Sequence, residues 1–81
     1  MKIWRRGDQV WIRVDMPRGA YTELVVTKHG PRVEISMDAL YGEEPRDVEP
    51  QLEALRMALT IGRMAERNKD WLEAVSGLVG G

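Results

Sequence analysis

Residues 9–15 read QVWIRVD and decide the fold, because every second side chain in this stretch is aliphatic. The two alternating sets are Val10, Ile12 and Val14 on one side and Trp11, Arg13 and Asp15 on the other. A period of two residues predicts a β-strand with one buried and one open face. The strand therefore needs neighbours that present the same two faces.

Residues 2–6 supply the first neighbour. Gly7 and the residue after it separate the two strands, and a two-residue hairpin turn favours glycine where φ is positive. This turn sets Trp4 opposite Trp11 and keeps aliphatic residues opposite aliphatic residues, whereas a three-residue turn mixes the two faces. We therefore predict a two-residue turn.

The next two strands are predicted at residues 21–27 and 32–37, joined by a turn at residues 29 and 30. That turn sets Val26 opposite Val33. The apolar face of the whole sheet is then Ile3, Val10, Ile12, Val14, Leu24, Val26, Val33, Ile35 and Met37. So large an apolar face requires a covering layer.

The rest of the chain is predicted to be helical. Residues 39–50 contain two prolines and form a linker, and Asp47 near its end is placed to cap a helix over about 48–67. Asn68 is placed to cap a second segment over about 69–77. The prediction is one α+β domain over residues 1–81, a four-stranded antiparallel β-meander with one face under a long C-terminal helix or two-helix segment.

Two arrangements of the C-terminal segment are open. The tail either folds back on the sheet, or continues the helix beyond the sheet and pairs with another chain, and we favour the second because a small chain gains core by association. The predicted oligomer interface, which supports a homodimer through the C-terminal helix, is Met57, Ile61, Met64, Trp71, Leu72 and Val75.

The open face of the sheet is the candidate binding site. Exposed aromatic residues with a charged rim are typical of partner-binding surfaces, although two opposed tryptophans also stabilise a hairpin. The predicted partner-binding residues are Trp4, Trp11, Arg13, Tyr21, Glu23 and Arg32. The expected partner is another protein.

A small nucleic-acid-binding regulator is the alternative function. Arginines beside aromatic rings can follow a phosphate backbone while bases stack on the rings. The net charge of the chain is −1 at pH 7, and acidic residues lie between the arginines. Both features weaken the attraction for phosphates, so this reading ranks second.

No catalytic, cofactor or metal site is predicted. The chain has no cysteine, and its single histidine, His29, lies beside a glycine with no nucleophile suggested nearby. The acids Glu43, Glu44, Asp47 and Glu49 match no calcium-loop spacing. The expectation is a protein that is not an enzyme.

Length and composition predict a soluble, cytoplasmic protein that does not enter the membrane. The chain has 81 residues, of which 43% are hydrophobic and 31% charged. This balance is that of a globular chain. Charges interrupt every apolar group at the N-terminus, and no stretch approaches the roughly 18 apolar residues of a membrane span.

In general layout, a cysteine-free meander over residues 3–37 followed by a helix from Val48 resembles small phage or mobile-element proteins that bind and block a host protein, including anti-CRISPR inhibitors. The resemblance covers the architecture and no motif. It implies an inhibitor or adaptor that acts by steric occlusion, and it identifies no target.

Overall fold

The computed structural model describes residues 1–16, 19–30, 32–37, 45–68 and 70–77, and the side chains of 45–47 are not part of that description. The elements are β1 (Lys2–Arg6), β2 (Gln9–Asp15), β3 (Tyr21–His29), β4 (Arg32–Met37), α1 (Pro45–Arg67) and α2 (Trp71–Ala74), followed by a 3-10 turn at Val75–Gly77. The strands form one antiparallel sheet in the order β1-β2-β3-β4. The predicted α+β class is confirmed.

The first hairpin has the predicted register. Trp4 lies opposite Trp11 and Ile3 opposite Ile12. Gly7 adopts a φ of 63°, the left-handed conformation that the two-residue turn requires. The predicted two-faced sheet follows, since Ile12 is fully buried and Trp11 is half-buried on the other side.

The predicted register of the second hairpin is wrong by two residues. Val26 lies opposite Ile35, not Val33, and β3 continues to His29, which pairs with Arg32. The connection therefore lies between His29 and Arg32. Residue 31 is a proline in the sequence, and a proline has no N–H to donate to a neighbouring strand, so the sequence disfavours a paired strand that runs through this position. A shift of two residues keeps every side chain on its predicted face.

The long helix begins earlier than predicted. It starts at Pro45, and proline is well suited to the first helical position because its missing N–H has no partner there in any case. Asp47 lies within α1, so its predicted role as the N-cap is wrong. The predicted C-terminal end at residue 67 is confirmed.

Small residues let α1 lie close to the sheet. The buried positions of α1 recur at the spacing of one helical face, and they are Gln51, Ala54, Ala58, Ile61, Gly62 and Ala65. They pack on the fully buried Ile12, Leu24 and Val26. A helix face built mostly of alanine and glycine brings the helix axis near the strands, and larger residues of the sheet fill the layer between them.

Two polar contacts fix the position of α1 along β3. The hydroxyl of Thr22 donates to Oε1 of Gln51 at 3.2 Å, and both residues are buried. The ammonium of Lys28 donates to the carbonyl oxygen of Ala65 in the last turn of α1. That contact satisfies a carbonyl at the negative end of the helix dipole. Since Gln51 meets Thr22 and Ala65 meets Lys28, α1 runs along β3 in the same direction.

The C-terminal segment folds back, and the favoured overhang of one unbroken helix is wrong. Helix α1 ends at Arg67, and the amide of Asp70 donates to Oδ1 of Asn68 at 2.9 Å in the bend that follows. Asp70, rather than Asn68, occupies the N-cap position of α2. Trp71 and Val75 are buried in the core of the same chain. Burial of one indole and one valine stabilises the returned segment.

We predict that Gly62→Ala stabilises the protein. A Cβ at this position meets only the ends of the Ile35 and Val33 side chains, at 3.4 Å, and alanine is the better helix former. The free energy of unfolding should rise by about 0.5–1 kcal/mol in urea denaturation. The matched control is Gly7→Ala, where the φ of 63° makes the same change destabilising. A loss of stability at residue 62 contradicts the prediction.

We also predict that Thr22→Val lowers the free energy of unfolding by about 1 kcal/mol, because valine keeps the shape and removes the buried hydrogen bond to Gln51. Thr27→Val is the control, since Thr27 is on the open face of the same strand and should change stability by less than about 0.5 kcal/mol. If the two substitutions change the free energy of unfolding equally, the buried hydrogen bond between Thr22 and Gln51 has no special role in stability.

Candidate functional site

The candidate site lies on the side of the sheet that faces away from α1. Cross-strand pairing arranges its side chains in rows that run across the strands. One row is Trp4, Trp11, Val25 and Ser36; the rows beside it are Lys2, Arg13 and Glu23, and Arg6, Gln9, Thr27 and Glu34. We call this surface the open face.

Two tryptophans form the centre of the open face. The rings of Trp4 and Trp11 are stacked with centroids 5.9 Å apart and an angle of 27° between the planes. Nε1 of Trp11 donates to Oε1 of Gln9 at 3.0 Å, so its polar atom has a partner. Stacking and this hydrogen bond hold both rings in place, and both remain half-buried at the surface.

Basic side chains lie over the same rings. The guanidinium of Arg6 is 4.8 Å from the ring centroid of Trp11, and the ammonium of Lys2 is 6.0 Å from that of Trp4. Both distances are within the range of cation–π attraction. The aromatic centre of the open face is therefore bordered by positive charge on the β1 side.

Tyr21 extends the aromatic surface toward β3. The guanidinium of Arg13 lies 4.1 Å from its ring centroid, and Nε of Arg13 donates to Oδ1 of Asp15 at 3.2 Å. Tyr21 keeps 39% of its surface exposed. Asp15 orients the arginine over the tyrosine, although an ion pair this exposed contributes little to stability.

The structure brings together five of the six predicted partner-binding residues. Glu23 lies opposite Arg13 in the register of β2 and β3. Arg32 does not join this group. It pairs with His29, six residues along β3 from Glu23, which corresponds to about 20 Å of strand.

Three residues that contact the tryptophan rings are missing from the predicted set, namely Lys2, Arg6 and Gln9. The sequence could have identified them, because Lys2 and Arg6 are two residues from Trp4 and Gln9 is two residues from Trp11, so each lies on the same face of its strand as a tryptophan. Parity shows which side of the strand a residue occupies, and it does not show which ring a long side chain covers.

The residues of the predicted oligomer interface make contacts within one chain. Ile61, Trp71 and Val75 are buried in its core. Met57, Met64 and Leu72 are half-buried and pack against that core. The homodimer stays a prediction, and a dimer through these six side chains requires the folded chain to expose residues that it now buries.

The titratable groups of the described residues are dispersed. Nε2 of His29 lies 4.0 Å from Oε2 of Glu34, and both side chains are mostly exposed. Within the described ranges, no three histidine, aspartate or glutamate side chains come close enough to hold a metal ion. The acidic residues Glu43 and Glu44 lie outside those ranges. An open cleft between β1 and α2 is lined by Arg5, Asp70, Leu72 and Glu73.

No helix in the described part of the chain is long and apolar enough to cross a membrane. In comparisons with known proteins, no family model, no curated protein and no solved structure matches this chain. The residues of the open face and their geometry therefore carry the functional argument.

We predict an energetic coupling between the two stacked tryptophans. A double-mutant cycle with Trp4→Val and Trp11→Val should give an interaction free energy of about 0.5–1.5 kcal/mol in urea denaturation, because each single variant loses the stacking and the double variant loses it no more than once. The reference cycle combines Trp4→Val with Tyr21→Val, two positions on strands that are not neighbours. A coupling no larger than that of the reference cycle contradicts a rigid stacked pair.

Proposed function

We propose that this protein is a non-catalytic protein-binding module and that the open face is its binding surface. The observation that carries the proposal is the aromatic group of Trp4, Trp11 and Tyr21 on the open face, with arginine side chains over two of the three rings. Tryptophan, tyrosine and arginine are the residues that most often dominate the binding energy of protein interfaces.

The rings of the open face are ordered before any partner binds. Trp11 is held by stacking on Trp4 and by its hydrogen bond to Gln9, and Arg13 is held between Asp15 and the ring of Tyr21. Side chains that are already fixed lose little conformational entropy on association. A small sheet can thus offer a high-affinity contact without a large interface.

The charges of the open face favour a protein over a nucleic acid. Arg13 is paired with Asp15, Glu23 lies opposite it, and Glu34 lies in the row of Arg6. This mixture of signs repels phosphates at several points and suits the mixed rim of a protein surface. The guanidinium over Trp11 also occupies ring surface on which a base would stack.

The mode of action that we propose is steric occlusion. A flat sheet face that covers a patch on a partner blocks that patch without any reaction, which needs none of the nucleophiles or metal ligands that a catalytic site requires. This is the role of an inhibitor or adaptor, as in the small phage and mobile-element proteins that the layout resembles. The proposal includes a cytoplasmic location, which the absence of cysteine permits.

The test is affinity capture from a lysate of the native host with three forms of the full chain. They are the unchanged protein, Tyr21→Ala combined with Arg13→Ala, and Thr60→Ala on the exposed side of α1. A protein that binds the unchanged chain and the Thr60 variant should bind the open-face variant at least about tenfold more weakly, because hot-spot side chains are lost.

Circular dichroism spectra of the three forms must agree, so that a loss of binding is not a loss of folding. If the captured protein binds the open-face variant as tightly as the unchanged chain, the proposed surface is wrong. If the captured species is a nucleic acid and its affinity falls steeply with salt, the alternative function replaces the proposed one.

A further inference from the structure

A second surface, on the other side of the molecule, carries exposed aliphatic side chains. Val48, Leu52 and Leu59 of α1 have 36%, 39% and 46% of their surface exposed, and Leu55 between them is half-buried. Their spacing of three and four residues places them in one stripe along the helix. This stripe lies beside the buried face of α1 that packs on the sheet.

The stripe lies on the side of α1 that faces β4. Gly62 continues the stripe three residues after Leu59, and a Cβ at Gly62 would lie 3.4 Å from the side chains of both Val33 and Ile35. Met37, at the end of β4, is 38% exposed. We call the combination of Val48, Leu52, Leu55, Leu59, Ile35 and Met37 the edge surface.

The two edges of the sheet differ in how they are protected. The β1 edge carries Lys2, Arg5 and Arg6, and charges of one sign on an edge strand oppose pairing with another strand. The β4 edge carries alternating aliphatic residues on its helix side and, among the described residues, pairs only with β3. A strand that pairs on one side only, among the described residues, and lies beside an exposed apolar stripe is a common feature of interfaces.

We propose that a second copy of this chain covers the edge surface, with the two α1 helices antiparallel across a twofold axis. The charges beside the stripe support this occupant. Glu49 and Arg63 are both exposed, lie near opposite ends of the stripe and are 14 residues apart, which is about 21 Å of helix. An antiparallel pair brings Glu49 of each copy opposite Arg63 of the other, so the surface is complementary to itself.

The remaining charges beside the stripe are compatible with this arrangement. Arg56, at the centre, already pairs with Glu53 of its own helix at 2.6 Å. Glu66 follows Leu59 by two helical turns and ends the stripe, so it lies outside the apolar contact. Four of the six side chains of the edge surface, those of Val48, Leu52, Leu59 and Met37, are exposed in one chain, whereas no residue of the predicted oligomer interface is exposed.

Sedimentation equilibrium of the full chain over a range of concentrations tests the proposal. The unchanged protein should dimerise, and Leu59→Glu should raise the dimer dissociation constant by about 30-fold or more, because it places a charge in an apolar contact twice. Thr60→Glu is the matched control, since it adds the same charge one residue away on the exposed side of α1 and should leave the dimer intact.

Charge exchange distinguishes a second copy from any other occupant. Glu49→Arg and Arg63→Glu should each weaken the dimer, and the double variant should restore it, because the pair is re-formed with reversed signs. A monomer at every concentration, or a dimer that Leu59→Glu leaves unchanged, overturns the proposal. A dimer that the double variant fails to restore overturns the antiparallel arrangement. None of these variants alters the open face, so the result is independent of the proposed function.

Discussion

One helix has to cover four strands, and it is narrower than the sheet. This difference in width determines how the remaining segments of the chain are arranged. Four strands span about 14 Å between the outer strand axes, whereas a helix with its side chains is about 10 Å wide. Helix α1 lies along β3, where Thr22 and Lys28 hold its two ends. The strands to either side must therefore be covered by other segments or remain partly exposed.

The two margins of the sheet differ in how much of their apolar face is covered. Beside α1, the returning α2 segment adds Trp71 and Val75 to the core, so the fold-back supplies apolar cover that α1 cannot. On the β4 margin, Ile35 is half-buried and Met37 is exposed. Because α2 covers only one side of α1, the core is well packed along β2 and β3, whereas apolar side chains of β4 remain partly exposed.

Periodicity predicts which side of each strand is buried, because that depends only on the alternation of side chains. It leaves the register of the second hairpin undetermined, since turns at residues 29 and 30 or at 30 and 31 give the same faces. The position of the tail was equally undetermined. Trp71 has the same helical spacing in an overhanging helix as in a folded-back one, and only the contact with the sheet distinguishes them.

For the candidate site as well, the alternation of side chains predicts which residues share a face, but it does not predict which side chains contact one another. Alternation places Trp4, Trp11 and Tyr21 on the open face, and the register adds that Trp4 and Trp11 are neighbours. It cannot assign Arg6 to the ring of Trp11, because a long side chain reaches several positions from its own strand. Long-range placement, such as the separation of Arg32 from Glu23 by about 20 Å of strand, depends on the register of every intervening strand.

The two surfaces occupy different parts of the sheet, and this separation matters for function. The stacked tryptophans are on β1 and β2, and the edge surface begins at β4, so β3 lies between them. The proposed dimer through the β4 margin leaves the stacked tryptophans of each copy outside the interface, because they lie on β1 and β2. If both proposals hold, such a dimer presents the proposed binding surface twice, and a partner with two sites binds both with an effective concentration set by the spacing of the two surfaces.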